Sequence, residues 1–78
     1  MPRFFFHLYN DIISTDEEGR ELPDLEAART AAVQEVRSVM TEDVLKGKVT
    51  LSHRIVVADE NGCVVATVRF ADAVEVED

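Results

Sequence analysis

Residues 22–36 read LPDLEAARTAAVQEV, and this stretch decides the fold that we predict for the chain. Pro23 disfavours helical geometry at Leu22, so a helix can begin only after it. Asp24 follows directly, and its carboxylate can accept hydrogen bonds from the free N–H groups of a first helical turn. We therefore predict one long helix with Asp24 as its N-cap residue.

One broad face of this helix is apolar. When successive residues are placed about 100° apart, Thr30 and Gln34 fall opposite an arc of apolar side chains. Asp43 interrupts that arc, so we expect a kink or a tightened last turn near it. Gly47 can adopt a positive φ angle, and the helix should therefore end at about Lys46. The arc, which we expect to be buried, consists of Leu25, Ala28, Ala32, Val33, Val36, Val39 and Met40.

A first β-hairpin is predicted before the helix. Residues 3–9 are rich in aromatic side chains, which favour a strand. A turn at residues 10–11 then leads into a short second strand over residues 12–15. The DEEG turn at residues 16–19 and a brief extended segment connect this hairpin to the helix. The side chains of the first strand that should face the helix are Phe4, Phe6 and Leu8.

A second β-hairpin is predicted after the helix. Residues 53–58 and 63–70 are rich in β-branched side chains, and the DENG turn at residues 59–62 joins them. We expect Leu51, in the connector before this hairpin, to plug the edge of the core. We place Ile55, Val57 and Val65 on the helix side, joined by Phe70 if a bulge near Thr67 shifts the register.

The length of the chain limits it to a single domain. Its 78 residues leave a core that is only marginally sufficient, and oligomerisation often supplements such a core. We assign residues 1–72 to one α+β domain and residues 73–78 to an acidic tail, frayed beyond Asp72; the alternative is an added edge strand through Val74 and Val76. The predicted fold is a two-layer α+β fold with an antiparallel four-stranded sheet and one long helix, in the order β-β-α-β-β.

The charge of the chain argues against several classes of partner. Sixteen acidic and eight basic residues give a net charge of -8, which repels nucleic acids and anionic membranes. We therefore expect no direct nucleic-acid binding and no membrane association, whereas a basic protein partner fits this charge. The N-terminal residues lack the basic region and long apolar core of a signal peptide, so we expect a cytoplasmic protein.

No pattern in the sequence identifies a reaction. His7 and His53 could meet across neighbouring strands, but Cys63 is the lone cysteine and a zinc site would need further ligands. The three acidic residues at 16–18 lack the alternating ligands of a calcium-binding loop. We predict no catalytic residue, no metal and no cofactor. An enzyme or ligand-binding protein would need a pocket shared by two subunits, for which His7 and Tyr9 are the best candidates.

The side of the sheet away from the helix is more apolar than a solvated surface usually is. This excess predicts an interface between copies of the chain. The candidate interface residues are Phe5, His7, Tyr9, Val56, Val64 and Ala66.

Three segments of the chain also resemble a known family. PRFFFH at residues 2–7, DEEG at residues 16–19 and LPDLEAA at residues 22–28 are similar to segments of a family of short bacterial proteins, common in alphaproteobacteria, classed as a domain of unknown function. The resemblance extends through the second hairpin to Phe70 and implies no activity. The first half of the chain is also similar to HicB-type antitoxins, which implies a sheet-and-helix module that binds a partner protein.

From these observations we expect a non-enzymatic interaction module that self-associates, most simply as a homodimer. The alternative is an acidic, antitoxin-like or regulatory antagonist of a basic partner protein.

Overall fold

A computed structural model describes residues 1–77 of the chain. Two helices and five strands follow one another in the order β1, β2, β3, α1, β4, β5, α2. Their bounds are β1 Arg3–Tyr9, β2 Ile13–Ser14, β3 Arg20–Glu21, α1 Leu25–Leu45, β4 Arg54–Ala58, β5 Val64–Arg69 and α2 Phe70–Ala73. The α+β class, the antiparallel sheet and the single long helix are confirmed, while β3 and α2 are elements that the sequence analysis did not count.

All strand pairs are antiparallel. The sheet has the order β2-β1-β4-β5, and β3 pairs with β1 beside β2. Two short strands thus share one edge of β1, and β5 forms the opposite edge of the sheet. The long helix α1 lies across β4 and β5.

Helix α1 begins as the sequence predicts. An Asp24 side-chain oxygen accepts a hydrogen bond from the backbone N–H of Ala27 at 2.8 Å. The helix continues through Asp43 to Leu45, and its end is tightened because the Gly47 N–H donates to the Val44 carbonyl. The buried side chains are Ala28, Ala32, Val36 and Met40, with Val33 and Val39 partly buried. Leu25, predicted to be buried, is 42% exposed.

The core lies between α1 and one face of the sheet. Phe4, Phe6 and Leu8 contribute to it from β1, as predicted. The largest fully buried side chains are Phe70, Ile55, Val36 and Val57. Leu51 does not plug the core edge, since it is 42% exposed, and Val49 packs against the core instead.

The prediction of which β5 side chains point toward α1 is wrong in part. The register shift lies between Val57 and Ala58, so that Val57 pairs with Ala66 and Ala58 pairs with Val64. Val65 is therefore the extra residue of the bulge, and no shift occurs near Thr67. As a result Ala66 faces α1 and is buried in the core, and it does not belong to the opposite face where we placed it.

The chain remains packed beyond the predicted domain boundary. Phe70, fully buried, begins the short helix α2, and Ala73 at its end is only 2% exposed. The Arg37 side chain donates to the Ala73 carbonyl at 2.7 Å. The prediction of fraying beyond Asp72 is therefore wrong at Ala73. The last residue of the predicted tail, Asp78, lies outside the described residues.

Neither helix within residues 1–77 combines the length and the apolar character that crossing a membrane requires.

Candidate interaction surface

We call the side of the sheet opposite α1 the helix-free face. Strand pairing arranges its side chains in rows that run across the sheet. One row contains Phe5, Ala58 and Val64, and the next contains His7, Val56 and Thr67. A third row contains Ile13, Tyr9, Arg54 and Arg69.

The β1 half of this face is occupied by contacts within the chain. The Gly19 backbone lies so close to Phe5 that a Cβ atom on Gly19 would sit 3.0 Å from the Phe5 ring. His7 Nδ1 accepts a hydrogen bond from the Asp16 backbone N–H at 3.0 Å. The Arg54 guanidinium lies 4.6 Å from the centre of the Tyr9 ring, a cation–π contact. Each predicted aromatic interface residue therefore already has a partner in its own chain.

Asp16 closes the edge of β1 between β2 and β3. One of its carboxylate oxygens accepts the Phe6 N–H at 3.0 Å, and the other accepts the N–H groups of Glu18 and Gly19 at 3.1 Å each. Burial alone would raise the pKa of the Asp16 carboxyl, but these three N–H groups outweigh it and lower the pKa. The carboxylate thus takes the place of a strand at the centre of this edge.

The centre of the helix-free face exposes less apolar surface than the sequence predicts. Val56 does point to the helix-free face, but only 9% of it is exposed, because its neighbours on three strands cover it. Val64, at the β5 edge, is 62% exposed. The exposed apolar surface therefore lies at the margins of the face. The residues of the face that sequence analysis missed are Ile13, Arg54, Ala58, Thr67 and Arg69. Alternation along β4 was the signal that could have placed Arg54 and Ala58 with Val56, whereas the bulge at Val65 puts Thr67 and Arg69 on this face against simple alternation from Val64.

The outer edge of β5 is open. The Phe70 N–H donates to the His53 carbonyl at 2.7 Å, which shows that the Phe70 peptide N–H points toward the β4 side. Peptide groups alternate in direction along a strand, so those of Thr67 and Arg69 point away from β4. The Arg69 N–H is capped by an Asp72 carboxylate oxygen at 3.2 Å. The Thr67 peptide group remains directed outward, and no strand within residues 1–77 pairs with this edge.

Two arginines stand side by side at this edge. Arg54 and Arg69 are direct partners across β4 and β5, an arrangement that places like charges together. Arg69 forms an ion pair with Asp72 at 3.2 Å, and that hydrogen-bonded pair lowers the pKa of the Asp72 carboxyl and raises the pKa of Arg69. Arg54 is exposed and forms no ion pair with a residue in the described range.

The candidate chemical groups do not come together. His7 pairs with Val56 in the sheet, whereas His53 precedes β4 and packs edge-on against Phe70 with ring centres 5.6 Å apart. Cys63 is exposed in the turn before β5. Over residues 1–77, His, Cys, Asp and Glu side chains form no group of three or more that could hold a metal ion.

The comparison with protein families gives a match over most of the chain. Residues 3–71 match the model of a domain of unknown function, DUF6894. The chain belongs to this family. No curated protein and no solved structure matches the chain. Membership in DUF6894 agrees with the resemblance to a domain of unknown function and brings no activity with it.

Proposed function

We propose that this DUF6894 chain is a non-enzymatic interaction module that self-associates, and that two copies meet along the β5 edge. The observation that supports this proposal most is the outward direction of the Thr67 peptide group on an edge with which no strand of the described residues 1–77 pairs. Unpaired strand edges are templates for pairing with another chain, and folded proteins usually block them. The opposite edge is blocked in this way by β2, β3 and Asp16.

The side chains at the β5 edge support the same surface. Val64 is 62% exposed, and Thr67 beside it is exposed and small. Both can be covered by an added strand without unpacking the core, since they point to the helix-free face. Of the six interface residues predicted from the sequence, Val64 is the one that lies at this edge.

The test is sedimentation velocity on the whole chain, from about 1 µM to about 1 mM, the range in which a weak dimer dissociates. Thr67→Pro removes the outward N–H and leaves the ladder to β4 intact, because proline is tolerated where the N–H faces away from the sheet. Covering Val64 contributes about 1 kcal/mol per copy. Val64→Lys should therefore weaken a symmetric dimer by about 2 kcal/mol, or roughly 30-fold in Kd.

Val44→Lys provides the matched control. Val44 is also a valine that is 62% exposed, but it lies near the end of α1, away from the β5 edge. The control should keep the dimerisation constant of the natural chain. A chain that sediments as a monomer at the highest concentration would overturn self-association, and a dimer that both edge variants leave unchanged would overturn the choice of edge.

A basic partner protein, the alternative expected from the net charge, would meet Arg54 and Arg69 at this edge and be repelled. That alternative and the similarity to HicB-type antitoxins remain predictions.

A further inference from the structure

We infer that the strand added to β5 is residues 74–77 of a second copy, with Glu75 and Glu77 against Arg54 and Arg69. This inference rests on the proposed function, because it names the segment through which the second copy binds. It makes the contact reciprocal, since each copy supplies one β5 edge and one segment.

The sequence of the segment has the period of a strand. Val74, Glu75, Val76 and Glu77 alternate between apolar and acidic side chains, which is the pattern of a strand with two different faces. Val74 already has extended backbone angles, with φ -141° and ψ 154°. Val76 is 75% exposed, and within the described part of the chain the segment pairs with no strand of its own copy. The segment is therefore a strand-like sequence whose apolar side chains are uncovered.

The start of the segment is held in the helix layer of its own copy. The Arg37 side chain donates to the Ala73 carbonyl, which fixes the end of α2 against α1. Four extended residues span about 13 Å, and part of this length is used to pass from the helix layer to the sheet layer, so the segment pairs with only part of the six-residue strand β5. In the proposed edge-to-edge arrangement the helix layers of the two copies lie side by side, and each segment crosses from its own helix layer to the partner's β5.

The acidic charges of the segment favour it as the strand that pairs with β5. Arg54 and Arg69 are cross-strand partners on the helix-free face, and Arg54, whose guanidinium lies over the Tyr9 ring, has no ion-pair partner within the described residues. If the valines of the segment continue the buried face of β5 beside Ala66 and Val68, its glutamates point to the helix-free face. There they become cross-strand neighbours of Arg69, and such opposite charges stabilise a pair of strands.

The experiment measures the dimerisation constant of a charge-reversed chain. Glu75→Lys with Glu77→Lys should weaken the dimer by roughly tenfold or more, because attraction at two sites in each copy becomes repulsion. Glu17→Lys with Glu42→Lys is the matched control, since it changes two exposed glutamates elsewhere and shifts the net charge equally. Raised salt should weaken the dimer of the natural chain relative to that of the segment variant, because it screens the attraction that only the natural segment makes.

A compensating variant separates a direct contact from a general effect of charge. Arg54→Glu alone should weaken the dimer, and combining it with Glu75→Lys and Glu77→Lys should restore part of the affinity. Circular dichroism of every variant shows whether the monomer still folds.

The outcomes distinguish this inference from the proposed function. Weakening by the segment variant and by Thr67→Pro, with the control unchanged, supports the inference. If Thr67→Pro abolishes the dimer and the segment variant does not, another strand occupies β5, and the inference fails while self-association stands. If neither changes the dimer, both the segment and the edge are wrong. A natural chain that is monomeric throughout overturns the inference together with the proposed function.

Discussion

Replacing Asp16 with alanine should open the edge of β1 that this carboxylate closes. The change removes the acceptor of the Phe6 N–H, which is partly buried on the edge of β1 between β2 and β3. The Glu18 and Gly19 N–H groups lose the same acceptor, but the surrounding loop is exposed enough for water to reach Glu18. Most of the loss of stability should therefore come from the partly buried N–H groups of Phe6 and Gly19.

The size of the effect follows from these contacts. An unsatisfied, partly buried N–H costs about 1–3 kcal/mol, and a hydrogen bond to a charged group contributes about 1.5–3 kcal/mol. Because the Glu18 N–H is hydrated in the variant, we expect a total loss of about 2–3 kcal/mol. For a domain of this size the Tm should fall by about 10–20 °C. Asp16→Asn keeps a side-chain oxygen and should lose about half as much.

The pH dependence gives an independent check. The folded state lowers the pKa of the Asp16 carboxyl, so its contribution is fully present above the ordinary value of about 3.9. That contribution disappears as the pH falls through the lower, folded-state pKa. The difference in unfolding free energy between the natural chain and Asp16→Ala should therefore shrink in that window.

Urea unfolding at several pH values measures this difference, and hydrogen exchange of the Phe6 amide localises it. Faster Phe6 exchange in Asp16→Ala is expected. Equal stability of Asp16→Ala and the natural chain at neutral pH would refute the role of the carboxylate as the closure of this edge.

Three other outcomes test the packing. Gly19→Ala should lower the free energy of unfolding by several kcal/mol, because φ is +69° and a Cβ would lie 2.8 Å from the Phe4 carbonyl oxygen. Gly47→Ala should lower it by only about 1 kcal/mol, because nothing lies near a Cβ at that position. Urea unfolding measures both variants. Phe70→Ala should lose about 3–5 kcal/mol in the same assay, since its ring is fully buried. Cys63 should react with a thiol reagent at the rate of a free thiol without unfolding, because it is exposed.

Local signals in the sequence were sufficient for the elements that depend on neighbouring residues. Asp24 caps α1, Gly47 has a φ angle of +89° just past its end, and β1 spans the residues predicted for it. These features depend on backbone preferences and on the period of apolar side chains, both of which can be read within a few residues. The placement of Phe4 and Phe6 toward the helix follows from the same period.

The surface was predicted less well than the fold. Alternation placed Phe5, His7 and Tyr9 on the helix-free face, but it could not show that the loop after β2 and the side chain of Arg54 already cover them. Those contacts join residues far apart in the chain, so no local pattern contains them.

The sequence by itself determined one amphipathic helix between two hairpins, because capping, turn chemistry and periodicity act over short distances. Only the tertiary structure decided which edge of the sheet is open. A bulge at Val65 turned Ala66 into the core, and Asp16 closed one edge while the Thr67 peptide group stayed outward on the other. Register and edge closure arise from long-range hydrogen bonds, and a shift of one residue moves every following side chain to the other face.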